Sequence, residues 1–127
     1  MNLNKTYEKV INSVIVPKYD FISGIENLRV TKDEIDRITI RINFYLKASW
    51  ANEMFNDNCR KRYVDGGGGL IILSMSDMND CVLNKFKDEE IPFYLIDDLT
   101  SINKLLGYKT NYFNNGFDIR FVLDFNN

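Results

Sequence analysis

The sequence predicts an α+β domain of two layers, with about three helices packed on a mixed, mainly antiparallel sheet of five to six strands. Three observations carry this expectation. Near the N-terminus, Tyr7, Val10, Ile11 and Val14 recur at i, i+3, i+4 and i+7, the spacing of a helix with one apolar face. From Arg37 to Lys47, apolar and polar residues alternate without exception, the period of a strand with one buried and one wet face. The C-terminal stretch repeats that alternation in Phe117, Ile119, Phe121, Leu123 and Phe125, behind an Asn114-Asn115-Gly116 turn signal. A chain of 127 residues suffices for one sizeable core and is short for two, so 1–127 is read as a single domain.

The elements follow in order. A helix is expected over 4–15, with Asn4 placed as an N-cap and Pro17 ending it and holding Val16 extended. A linker containing Gly24 leads to a short strand at 28–31, and Lys32-Asp33-Glu34-Ile35-Asp36 is a polar turn. The alternating strand then buries Ile38, Ile40, Ile42, Phe44 and Leu46. A slip of one residue would bury Arg37, Arg41 and Lys47, so its register is strongly specified.

Residues 48–69 form an irregular arm. Trp50, Ala51, Met54 and Phe55 fit the stripe of a short helix capped by Ser49, and the stretch after Asn56-Asp57-Asn58 has no period. Regular pattern returns with a buried strand at 70–75, a helix at 77–87 using Met78, Val82 and Phe86, and a strand at 92–96. A helix at 99–106 follows, capped by Asp98 and ended by Gly107, and the chain closes in a hairpin of 108–113 with 117–125. The unit from 70 to 96 reads equally as a parallel crossover or as antiparallel neighbours.

Composition removes whole classes of chemistry. No His occurs, which excludes Ser-His-Asp and Cys-His pairs, His-ligated metals and imidazole proton transfer. Sixteen basic against eighteen acidic residues leave a net charge of -2, with no overall field to draw the molecule to nucleic acid or anionic membrane. Cys59 and Cys81 lie far apart without CxxC spacing and are expected as inert free thiols. The longest apolar runs, such as Leu70-Ile71-Ile72-Leu73, are four residues long, well below the core of a signal peptide or a membrane span.

Four local constellations invite functional readings. Gly66, Gly67, Gly68 and Gly69 resemble a phosphate loop in composition, but they precede a strand instead of opening a helix, which favours a connector or hinge. Arg60, Lys61, Arg62 and Tyr63 form the one dense basic cluster with an aromatic, an ingredient of single-strand binding. Arg37, Arg41 and Lys47 on the wet strand face would extend that cluster into a groove if the loop folds over the face, whereas solvated cations meeting acidic neighbours or an acidic partner protein are the blander reading. Asp88-Glu89-Glu90 and Asp97-Asp98 lack metal-site spacing.

The expected function is binding without catalysis. The leading expectation is a protein-binding or assembly protein, with a structural virion component (neck, tail or capsid) of an AT-rich bacteriophage or other virus as its setting. Sixteen Asn, two Ala and no Gln suggest that setting by compositional association only. A small viral inhibitor that binds and masks a host protein is the alternative, and single-stranded nucleic-acid binding through the loop from Arg60 to Tyr63 a further one. Expected partners are other protein subunits, including a homo-oligomeric ring or viral assembly. No enzyme activity, cofactor, metal site or membrane association is expected, and the expected location is the host cytoplasm or the virion. The candidate contact residues are Trp50, Met54, Phe55, Arg60, Lys61, Arg62 and Tyr63, hinged at the four glycines, because large aromatics and Arg supply most interface energy.

Overall fold

The computed structural model describes residues 2–47, 49, 70–74, 91–111 and 116–124. These residues form α1 (Leu3–Val14), a 3₁₀ turn (Val16–Lys18), β1 (Ile22–Lys32), β2 (Arg37–Leu46), β3 (Leu70–Ser74), α2 (Ile91–Leu105), β4 (Lys109–Thr110) and β5 (Phe117–Asp124). The strands make one sheet in the order β1-β2-β5-β3, with β4 also on β2. β1 with β2 and β3 with β5 are antiparallel, whereas β4 and β5 both run parallel to β2. The class is therefore α+β with a mixed sheet. The expected helices near 50–55 and 77–87 lie outside the described residues.

β2 follows its alternation residue by residue. Ile38, Ile40, Ile42, Phe44 and Leu46 are buried, and the residues between them are not. The buried set meets Tyr7, Ile11 and Ile15 from the first helical segment and Leu95, Leu99 and Ile102 from α2 in one core. Ile119 and Phe121 extend that layer from β5, with Phe121 stacked on Phe44 at 6.3 Å between ring centroids. Both helices thus supply the core on one face of the sheet, and the polar alternates of β2 fall on the other.

β1 is longer than the sequence suggests, running through Gly24 from Ile22 to Lys32. Two register shifts against β2, between Ile22 and Gly24 and between Ile25 and Asn27, insert extra residues and erase the two-residue period there. The turn to β2 is built by Asp33. Its Oδ1 accepts from the backbone N–H of Ile35 and of Arg37, at 3.0 and 2.9 Å, while Asp36 takes a positive φ of 62° that Asp tolerates.

At the N-terminus the cap is Asn2, whose side chain accepts from the Lys5 N–H at 3.2 Å. Asn4, expected as the cap, sits one residue inside the helix and does something else. Its Nδ2 donates to the Leu28 carbonyl at 3.0 Å and its Oδ1 accepts from the Val30 N–H at 2.8 Å. One side-chain amide thereby pairs two main-chain groups of β1, the edge strand of the sheet, as a neighbouring strand would. Val16 is also corrected: it opens the 3₁₀ turn, with Pro17 in its first positions, and is not extended.

The largest correction concerns residues 91–105, expected as a strand at 92–96 and a separate helix at 99–106. They form one helix, α2. The apolar run Phe93-Tyr94-Leu95-Ile96 is too short for periodicity to decide between the two forms. Burial of Leu95, Leu99, Ile102 and Asn103, spaced i, i+4, i+7 and i+8, shows the helical face that the core selects. Pro92 is tolerated in the first turn because those N–H groups have no acceptor within the helix. Asp98 is consequently a mid-helix residue and not a cap. Gly107 does end the helix, at φ 85°, with the Tyr108 N–H on the Asn103 carbonyl at 2.9 Å and the Gly107 N–H on the Lys104 carbonyl at 3.1 Å.

The expected closing hairpin is also overturned, since β4 and β5 do not pair with each other and instead share one edge of β2. The Asn111 N–H donates to the Ile38 carbonyl at 3.0 Å and the Ile40 N–H to the Gly116 carbonyl at 2.8 Å. The chain thus leaves the edge of β2 after Asn111 and returns to it at Gly116. Gly116 is required by closeness, because a Cβ there would run into the Asn111 carbonyl oxygen. The pairing sets Phe117, Ile119 and Phe121 opposite Ile40, Ile42 and Phe44, so the apolar faces coincide. With β5 parallel to β2 and α2 in place of the 92–96 strand, the question of a strand crossover within 70–96 disappears.

Candidate functional site

The polar face of the sheet is the surface on which described residues could meet a partner. Register assembles it. Arg29 lies directly opposite Arg41, which lies opposite Asp118. The next row toward the hairpin turn pairs Thr31 with Thr39, and the next row away from it sets Asn27, Asn43 and Arg120 side by side. Arg29, Thr31, Thr39 and Arg41 together line a shallow depression of about 280 Å³.

The charges here are incompletely paired. The Asp118 carboxylate stands 4.0 Å from the Arg41 Nε and 3.3 Å from the Arg120 Nε, so one anion serves two guanidinium groups. Among the described residues no carboxylate pairs with Arg29. Arg41 keeps 67% of its side chain exposed and Arg120 52%. Glu26 adds a further carboxylate, accepting from the Asn43 Nδ2 at 2.9 Å. Like charges directly opposed across antiparallel strands repel, and Asp118 offsets that repulsion from the Arg41 side only.

Asn111 borders the threonine row. It is 6% exposed, and its Nδ2 donates to the Thr39 Oγ1 at 3.2 Å, while its Oδ1 has no hydrogen-bond partner among the described residues. An oxygen that accepts this bond keeps its own proton for another acceptor, so the Thr39 hydroxyl is set up to donate.

The open surface ends near the Tyr45 row. Val122, opposite Tyr45, is fully buried although the alternation of β5 assigns it to the wet side. Arg37, at the other end, is held in the hairpin by Asp33, Nε to Oδ2 at 2.5 Å. The backbone N–H of Arg37 and its guanidinium together keep the Asp33 carboxyl below the usual carboxylate range.

The remaining titratable groups with clear perturbations serve the fold. Burial foremost raises the Tyr7 phenol, which donates to the Asn103 Oδ1 at 2.6 Å. Burial and then its hydrogen bond to Asp98 raise Tyr19, whose hydroxyl lies 2.5 Å from that carboxylate. Lys18 pairs with the same Asp98 at 2.9 Å, so this carboxylate ties the 3₁₀ turn to α2. Among the described residues no group of three or more His, Cys, Asp or Glu could hold a metal ion, and no helix is long and apolar enough to cross a membrane.

Of the residues singled out in the sequence, Trp50, Met54, Phe55, Cys59, Arg60, Lys61, Arg62, Tyr63, Gly66, Gly67, Gly68, Gly69, Cys81 and the Asp88-Glu89-Glu90 cluster lie outside the described residues. Arg41 and Tyr45 stand on the wet face as expected. Arg29, Thr31, Asp118 and Arg120 were not singled out, although each stands next to at least one buried residue, Val30 or Ile119. Only the pairing of β1 and β5 with β2 brings them beside Arg41. Compared with known proteins, the chain matches no family model, no curated protein and no solved structure.

Proposed function

We propose that the chain is a non-enzymatic protein-binding or assembly component that meets its partner through the open face of its sheet. The observation that carries this reading is the pair of opposed arginines, Arg29 and Arg41, on an exposed face where Glu26 and Asp118 stand beside Arg29, Arg41 and Arg120. Mixed charge with a small cationic excess suits a protein surface. A strand of nucleic acid asks for a continuous basic groove, in line with which the chain's net charge of -2 also weighs toward protein. The perturbed tyrosines support the non-enzymatic reading, since their hydroxyls are consumed in bonds between elements. A viral assembly remains the setting that composition favours.

A photocrosslinking amino acid placed at Asn27 or Asn43 on the open face, and at Glu8 or Lys9 on the opposite layer, tests the reading in source cells. A discrete protein adduct from the open-face positions alone is expected. Equal adducts from both layers, or adducts from α1 only, would refute it. The segment 50–69 keeps a separate claim as a second contact element, for its Trp and its cations. Arg60→Ala with Arg62→Ala should weaken the same adduct without lowering the melting temperature if that claim is right.

A further inference from the structure

We propose that the depression lined by Arg29, Thr31, Thr39 and Arg41 receives a carboxylate side chain from an acidic segment of the protein partner. This rests on the open face being the contact surface. Four donors converge there: two guanidinium groups in one row and two hydroxyls in the next, on adjacent strands. Nothing among the described residues neutralises Arg29, and Asp118 reaches Arg41 only at 4.0 Å while also serving Arg120. An incoming anion would add a counter-charge between two cations opposed across the strands, where Asp118 serves only the Arg41 side.

Asn111 supports the site through its hydrogen bond to Thr39. Its buried amide donates to the Thr39 hydroxyl oxygen, which leaves the proton of that hydroxyl free for another acceptor. Asn111 is thus a positioning residue for Thr39. The depression, about 280 Å³, has room for a carboxylate with its methylene stem and some water. Its flanks select among anions. The nearby carboxylates of Glu26 and Asp118 would repel the neighbouring phosphates of a nucleic-acid strand, whereas a peptide can offer one carboxylate between neutral or basic residues.

The test is a titration of the intact protein followed by nuclear magnetic resonance at low and physiological salt. The probes are a blocked hexapeptide of alternating Glu and Thr, the same peptide with Gln for Glu, inorganic phosphate, and a ten-nucleotide oligothymidylate. The Glu peptide should give saturable shifts at the Arg29 and Arg41 Nε–H and at Thr31 and Thr39, weakening with salt, and the Gln peptide should not. Arg29→Gln with Arg41→Gln should lower the affinity by about tenfold or more. Lys5→Gln with Lys9→Gln on α1, an equal change of net charge, should leave it unchanged. Asn111→Ala should weaken binding and diminish the Thr39 shift while the arginine shifts persist.

Tighter binding of the oligothymidylate than of the peptide would overturn the proposal in favour of nucleic acid. Full shifts with phosphate alone would reduce the site to one for free anions. An absence of shifts at these four residues with every probe would also overturn it. Failure here with crosslinking retained on the open face would leave the contact surface standing without this ligand, whereas loss of crosslinking would remove the surface itself.

Discussion

Replacing Asn4 with Ala should destabilise the protein through the sheet edge and not through the helix cap. The substitution removes the acceptor of the Val30 N–H and the donor to the Leu28 carbonyl, both in partly buried surroundings. At about 0.5–1.5 kcal/mol net for each bond, the loss is about 1–3 kcal/mol. With an unfolding entropy of about 2.1 cal/mol/K per residue, a chain of 127 residues loses about 4 °C in melting temperature per kcal/mol, so the expected fall is about 4–11 °C. Calorimetry measures that fall, and hydrogen exchange locates it: protection at the Val30 amide should drop by more than the change shared by all globally protected amides. Asn2→Ala, which removes the true cap, should cost about 0.5–2 kcal/mol and leave Val30 no more affected than other core amides. Asn4→Asp should keep an acceptor for Val30 while setting a charged oxygen against the Leu28 carbonyl, with recovery at low pH once the carboxyl can donate. An unchanged melting temperature with unchanged Val30 exchange in Asn4→Ala would refute the edge-pairing argument.

Other outcomes follow from the same structure. Ile42→Ala, at a position 1% exposed in the central strand, should cost about 2–5 kcal/mol by denaturant titration, whereas Arg41→Ala should stay within about 0.5 kcal/mol. Tyr7→Phe strands the buried Asn103 Oδ1 and should cost about 1–3 kcal/mol, measured the same way. Because the Asp33 carboxyl titrates lower folded than unfolded, its stabilisation is present above the ordinary carboxylate range and is lost as pH falls through the depressed folded value; Asp33→Ala should flatten the acid side of the stability curve. Tyr7 and Tyr19 carry the opposite sign, so their stabilisation holds below about pH 10, and ultraviolet absorbance in alkali should show their ionisation only together with unfolding. Gly116→Ala should destabilise the β4–β5 junction by forcing Asn111 off the edge of β2, seen as lost protection of the Asn111 amide.

Elements whose period is long and unbroken are legible in the chain without any tertiary information. In β2, ten residues of strict alternation leave one register that keeps cations out of the core, and the structure has that register. The helical spacing of Tyr7 and Ile11, the polar turn after Lys32 and the helix end at Gly107 are likewise local, since each depends on a repeat, a turn residue or a conformation that few residues adopt. Where the local signal was short or doubled, the tertiary structure decided. Phe93-Tyr94-Leu95-Ile96 could serve a strand or a helix, and the need to place Leu95, Leu99 and Ile102 against β2 selected the helix. Asn115-Gly116 can close a hairpin, yet the free edge of β2 offered the backbone of β4 and β5 better use, and the turn signal had no information about that edge. The same limit applies to the candidate site. That Arg29, Arg41 and Arg120 are exposed is a matter of two-residue periodicity, but their adjacency, with Asp118 shared between two of them, depends on strand order and register among segments up to 91 residues apart, from Arg29 to Arg120. Pairing energy between distant strands is absent from any local pattern, and so the surface proposed here as the contact site exists only once the sheet has formed.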